Sequence, residues 1–157
     1  MKLTLLTIGK TEEPYLQTGI AAYAKRLERY SAFTIKEIPA LKNIKNLPEA
    51  QQKNKEGEAI LKELRTGEVL YLLDENGKEF DSVSLSKFLQ QQMNNSVKQL
   101  VFAVGGPYGF SDEVYKRAAG KISLSKLTFS HQMVRLFFVE QVYRAFTILK
   151  NEPYHHS

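Results

Sequence analysis

The chain has no cysteine, which excludes disulfides, thiolate catalysis and cysteine-ligated zinc and leaves a reducing compartment open. It also lacks long apolar runs. Leu3 to Ile8 is too short for a signal-peptide core and has no cleavage site, and no run approaches the about 18 residues a membrane span needs. Histidine is scarce, with three residues, His131, His155 and His156, all near the C-terminus. Internal repeats, low-complexity tracts and linkers are missing. These absences predict a cytoplasmic protein with no membrane partner and no metal, folded as one domain over residues 1–157.

The remaining composition is that of an ordinary globule, 43% hydrophobic and 25% charged. A chain of 157 residues buries about 70% of the surface its unfolded form exposes. Lys and Arg number 22 against 17 Asp and Glu, a net charge of +5 that mildly favours polyanionic partners.

Along the chain, apolar spacing predicts alternating strands and helices. Leu3 to Ile8 reads as a strand ending at Gly9, and Pro14 opens a helix carrying Leu16, Ile20, Tyr23 and Leu27. Phe33 to Ile38 is a second strand, and Pro48 to about Leu64 is rich in helix formers. Val69 to Leu73 is a third strand, followed by the turn signal Asn76-Gly77. Ser84 to Met93 is helical, Leu100 to Val104 is a strand, and Ser111 with Asp112 and Glu113 caps another helix. A short strand near Ile122 to Leu124 precedes a final helix from about His131 to Lys150. The order predicts an α/β fold, a mostly parallel sheet with helices on both faces.

The last helix has almost no polar face, since Val134, Leu136, Phe137, Phe138, Val139, Val142, Tyr143, Ala145, Phe146, Ile148 and Leu149 surround it. A helix that is apolar all round must be buried all round. One small sheet covers one side, so the pattern predicts a homodimer in which a second copy covers the other; the alternative is a central core helix in a monomer.

The most informative stretch is VFAVGGPYG, Val101 to Gly109, where an apolar strand enters a loop with Gly105, Gly106 and Gly109. Glycine lets backbone turn sharply and approach a ligand closely. A dinucleotide fingerprint fits badly, because the spacing is G-G-x-x-G and no acidic residue lies about twenty positions on. A P-loop fails as well, because no G-K-S or G-K-T follows. Some twenty residues on, LSKLTFSHQMVR forms a second, hydroxyl-rich loop that enters the final helix. Two such loops point to one small-molecule pocket.

GGPYGF, LSKLTFSHQMVR, VEQVYRAF and the terminal NEPYHHS, together with KLTLLTIGK and LLDENGK, closely resemble the ribosomal large subunit methyltransferase H family of SPOUT-class enzymes. The resemblance spans nearly the whole chain. It implies a trefoil knot in about residues 70–157, against the rule that chains do not thread loops. It implies S-adenosylmethionine as cofactor and transfer of its methyl group to N3 of a pseudouridine in 23S rRNA. The family's cofactor positions correspond here to Leu73, Gly105, Leu124, Ser125, Lys126, Leu127, Thr128 and Phe129, with Leu73, Leu124 and Leu127 sandwiching the adenine. Core packing is the alternative role for these leucines, Leu127 above all. The family often has proline before the histidine of the last loop, where this chain has Ser130.

Methyl transfer from a sulfonium is a displacement in which protein chiefly positions the reactants. The imide nitrogen must lose its proton, so a base or an anion-stabilising donor must lie within reach. The resemblance makes His155 the proton acceptor and Tyr154 a group that holds or stacks on the base, with His156 a solvated tail residue; a disordered tail is the alternative. His131 and Arg135, one turn apart, suit phosphate or a base carbonyl, which makes Arg135 a catalytic candidate and His131 an RNA contact. Arg144 is a further RNA contact, although Glu140–Arg144 also has the spacing of a helix-stabilising pair. With no separate RNA-binding domain, the expected substrate is structured RNA in the large subunit or assembled ribosome, not DNA. A SPOUT methyltransferase acting on tRNA and a noncatalytic ribosome-binding module are the competing readings.

Overall fold

The structure is a computed structural model that describes residues 1–156. In chain order the elements are β1 (Lys2–Ile8), α1 (Pro14–Leu27), β2 (Phe33–Ile38), α2 (Glu49–Glu63), β3 (Val69–Glu79), α3 (Ser82–Asn94), β4 (Gln99–Val104), α4 (Asp112–Arg117), β5 (Gly120–Ser123) and α5 (Met133–Leu149). The five strands form one parallel sheet in the order β2-β1-β4-β3-β5. The predicted α/β class is therefore the observed one.

Central strand β4 explains the layering. Its sequence QLVFAV is apolar almost throughout because both faces are covered, the signature of an interior parallel strand. Leu100, Phe102 and Val104 point into a core shared with Leu16 and Ile20 of α1, Leu85 and Leu89 of α3, and Phe138, Val142 and Phe146 of α5. Val101 and Ala103 point the other way, towards Ile60 of α2, Phe110 of the loop after β4 and Val114 of α4. The period-two alternation of β-side chains thus distributes helices to opposite faces.

Local signals act where they were expected. Pro14 sits in the first turn of α1, and the Ser111 hydroxyl accepts from the Val114 N–H at 3.4 Å to cap α4. Asp81 does the same for α3, accepting from Ser84 N–H at 2.6 Å, which holds its carboxyl below the usual range. Among the described residues no helix is long and apolar enough to cross a membrane.

Two expectations are corrected. Asn76-Gly77 does not end β3, which continues to Glu79 and pairs with β5 in two registers, Leu73 and Lys78 both opposite Ile122. The turn residues instead make an excursion within the strand, with Asn76 N–H donating to Asp74 Oδ1 at 2.8 Å. Gly77 is required for close approach: a Cβ there would lie 2.6 Å from the Ile122 nitrogen.

The second correction concerns α5. Its flanks are covered largely within one chain, by α1 on one side and α3 on the other, as well as by the sheet. All-round apolarity alone therefore does not demand a second copy. Phe137, 39% exposed, is what remains uncovered.

Candidate active site

At the C-terminal ends of β3, β4 and β5 lies a cavity of about 600 Å³. Parallel sheets place ligands there because the loops that leave adjacent strand ends diverge and open a crevice. Three segments wall it: Leu73 to Asn76 after the first part of β3, Val104 to Phe110 after β4, and Ser123 to His131 between β5 and α5. Among them are the expected positions Leu73, Gly105, Leu124, Ser125, Leu127, Thr128 and Phe129; Lys126 belongs to the same loop but does not line the wall. His131 lines it too.

The walls are built from backbone and short side chains. A Cβ on Gly105 would lie 3.2 Å from the Phe110 ring and 3.3 Å from the Gly109 carbonyl, so a side chain here would crowd an edge that glycine leaves open. Gly109, at φ +79°, closes the loop by donating its N–H to the Gly106 carbonyl at 3.2 Å. In the opposite loop, Ser123 Oγ donates to the Ser125 carbonyl at 2.9 Å, and Ser125 Oγ accepts from Leu127 N–H at 3.0 Å. Ser130 Oγ accepts from Met133 N–H at 3.0 Å, so serine at this position fastens the loop to α5. Leu127 is 73% exposed on the rim, which removes core packing as its role. Tyr115 donates a short hydrogen bond to Asp74, linking α4 to β3 across the cavity; burial, reinforced by Asp74, pushes the phenol up to about 12.

A family model described as "Predicted SPOUT methyltransferase" matches residues 1–155. The chain belongs to the SPOUT methyltransferase family. It is 61% identical over 157 residues, all of both chains, to the Ribosomal RNA large subunit methyltransferase H of Flavobacterium johnsoniae. The proteins of the same name from Parabacteroides distasonis and Bacteroides fragilis are 60% and 53% identical over 157 residues. Both of these, like the first, are covered in full, as is this chain.

In this SPOUT chain the remaining site candidates are not on the cavity wall. Tyr154 and His155 fold back on the outer face of α5 instead of trailing into solvent. The Tyr154 hydroxyl donates to Glu140 Oε1 at 2.8 Å, Arg144 Nη2 meets the same oxygen at 2.7 Å, and the guanidinium lies 4.7 Å from the Tyr154 ring centre. His155 Nδ1 is 3.3 Å from Arg144 Nη1, whereas His156 is exposed. Burial and hydrogen bonds to Tyr23 and Glu140 hold the Tyr154 phenol well above its usual value, so it acts as a donor. The Glu140 carboxylate raises Arg144. This cluster joins the helix pair and the tail into one unit.

Arg135 is placed differently from expectation. It is 1% exposed, and four hydrogen bonds engage its guanidinium: to the carbonyls of Ile8 at 2.9 Å, Gly9 at 3.0 Å and His131 at 3.1 Å, and to Thr11 Oγ1 at 3.1 Å. Burial lowers its pKa. With those donors committed to the protein, Arg135 fastens α5 to the end of β1 and does not face substrate.

Sequence reading missed Glu56. It is 5% exposed on α2, and its carboxyl occupies the space beside Gly106 where a Cβ would lie, 2.5 Å from Oε2. The four-residue spacing of Gln52, Glu56 and Ile60 puts all three on the buried face of α2, but two of them are polar and leave no apolar periodicity to read.

Proposed function

We propose that this chain transfers a methyl group from S-adenosylmethionine to N3 of a pseudouridine in 23S rRNA, within the large subunit or the assembled ribosome, and works as a cytoplasmic homodimer. The observation that carries the reading is the three-loop cavity, whose open glycine edge and hydroxyl-rich facing loop suit a nucleoside with an attached amino acid. Full-length relatives named for ribosomal RNA methylation supply the substrate class.

Residues on the wall fit that donor. Backbone at Gly105 and along Leu124 to Phe129 offers hydrogen bonds to an adenine edge, and Leu73, Leu124 and Leu127 offer apolar cover. When bound, the donor supplies an activated methyl carbon. The protein then has to hold the imide in line and accept its proton. His155 is the acceptor in this reading once it leaves Arg144, whose guanidinium only donates to Nδ1 and so keeps the proton on Nε2 while the two are in contact; Tyr154 presents a hydrogen bond donor or a stacking face. His131 on the cavity wall and the Arg144 guanidinium beside the tail provide the hydrogen-bonding groups that meet RNA.

The dimer brings these parts together. In one chain the tail cluster lies on α5 and outside the donor cavity's wall. Exposed Phe137 at the outer face of α5 is the apolar contact for a second copy, whose tail then completes the cavity across a twofold axis. The same reading includes a trefoil knot in about residues 70–157, consistent with β5 pairing outside β3 before the chain returns to place α5 between α1 and α3.

The test is uptake of labelled methyl from S-adenosylmethionine by assembled ribosomes, large subunits, free 23S rRNA and tRNA, with the product mapped by mass. One methyl on N3 of a 23S pseudouridine is expected. Uptake by tRNA alone points to a different SPOUT substrate, and absence of donor binding by calorimetry points to a noncatalytic module.

A further inference from the structure

Glu56 has no role in the site as described so far, and its environment is unusual. Its Oε1 is buried without a hydrogen-bond partner among the described residues. A carboxyl oxygen in that condition forfeits hydration and receives nothing in return. The carboxyl lies directly behind Gly106, with both oxygens and the carboxyl carbon 2.5 to 2.8 Å from the position of a Cβ on that glycine. Gly106 in turn lines the donor cavity. One thickness of glycine backbone therefore separates an unpartnered acid from the ligand space.

The groups around Glu56 leave it free to respond to charge. On its own helix the neighbours are Gln52, whose side chain opposes the upward push of burial, and Gly57, which packs on Ser111 and Val114 of α4. No charged side chain contributes to its proton affinity, which burial dominates. On the far side of Gly106, the cavity wall carries Asp74, Glu75, Tyr115 and His131. An acid screened from water by a low-dielectric wall interacts more strongly with a charge entering the cavity than a solvated one does.

We propose that Glu56 is a specificity-determining residue of the donor site: through the Gly106 backbone its carboxyl favours a cationic sulfonium ligand over the neutral thioether that remains after transfer. The inference rests on the methyl-donor reading of the cavity. Donor and product differ by one methyl group and one positive charge, so a buried acid is a direct means of telling them apart. The charge that ionises Glu56 leaves with the methyl group, which helps the spent product depart. Donor binding then releases a proton from Glu56, and product binding does not. Donor affinity accordingly rises with pH through the titration of Glu56 and levels off above it, while product affinity stays flat.

The test is calorimetric titration of the full-length protein with S-adenosylmethionine and, separately, S-adenosylhomocysteine, for wild type and Glu56→Gln, between pH 5.5 and 8.5 and in two buffers of different ionisation enthalpy. Glu56→Gln keeps the side-chain shape and removes the charge. The expected result is an about tenfold loss of donor over product preference at the high-pH end, equivalent to one unit of coupled pKa, with product affinity unchanged and the released proton gone. His131 also lies on the cavity wall, and the difference between wild type and variant cancels its contribution. Equal weakening of both ligands, or an unchanged ratio with proton release intact, overturns the proposal and leaves the methyl-donor reading standing. Wild type that binds neither ligand sinks that reading itself.

Discussion

The Arg135 guanidinium donates to the Gly9 carbonyl at 3.0 Å, joining the first turn of α5 to the end of β1 across 126 positions of sequence. Substituting Arg135 by alanine strips the carbonyls of Ile8, Gly9 and His131 of their donor in a buried setting. The expected cost is about 3 kcal/mol or more, the range for breaking a buried charged network. Denaturant unfolding measures it. A variant that unfolds like wild type but fails to methylate would return Arg135 to the reaction.

That contact also shows what was legible in the sequence. Apolar spacing and caps make most strands and helices visible, because periodicity is set locally by burial of one face or two, and α2 is visible from its helix-forming residues instead. Strand order is not, since β4 lies between β1 and β3 through pairings no local signal encodes. The same limit explains Arg135: spacing places it beside His131 but gives no account of β1 arriving beneath it. The cavity loops were legible because glycine and serine runs have few other uses. Glu56 was hidden by its type, since glutamate on a helix usually faces water. Asn76-Gly77 misled because turn chemistry serves an excursion inside a strand as well as its end.

Gly77→Ala tests that excursion. A methyl group would meet the backbone of Lys121 and Ile122 at 2.6 to 2.7 Å, and backbone in a sheet cannot yield as a flexible side chain does. A loss of about 2 kcal/mol is expected, with the damage confined to the β3–β5 edge. Hydrogen exchange locates it: amides of β5 should lose protection before those of β4, and uniform loss would contradict the assignment.

Gly105→Val should leave the fold standing and close the donor cavity, because its branched side chain projects against Phe110 and the Gly109 carbonyl. At least hundredfold weaker donor binding is expected, about 2.7 kcal/mol. Calorimetry reads the affinity and thermal melting checks the fold. Retained donor affinity would move the binding edge elsewhere.

Burial holds the Glu56 carboxyl above its ordinary value, so folding favours its protonated form. The sign follows from linkage: the stabilisation is complete at pH below the unfolded value of 4.5 and is lost as pH rises through the folded one. Glu56→Gln, neutral at every pH, escapes that loss. Melting temperatures of ligand-free wild type and variant should therefore converge near pH 4.5 and separate towards pH 8, with the variant the more stable. A gap that narrows with pH would mean that the carboxylate, not the acid, is the form the fold prefers.

His155 and Gly105 decide whether the tail works within its own chain or across a twofold axis. Tyr154 and Arg144 hold the tail to α5 of the same chain, off the donor cavity's wall, so a tail that serves catalysis has to reach a cavity it does not line here. His155→Ala alone should lower turnover at least tenfold with donor affinity nearly intact, about 1.4 kcal/mol on the barrier. Gly105→Val alone should be inactive through lost donor binding. If each cavity is completed by the partner's tail, mixed dimers of the two variants contain one intact cavity facing one intact tail, and activity returns to about a quarter of wild type for random pairing, since half the dimers are mixed and each has one working site of two. Methyl uptake by ribosomes after co-refolding measures it, and no recovery from stable mixed dimers would place the working tail in the same chain as its cavity.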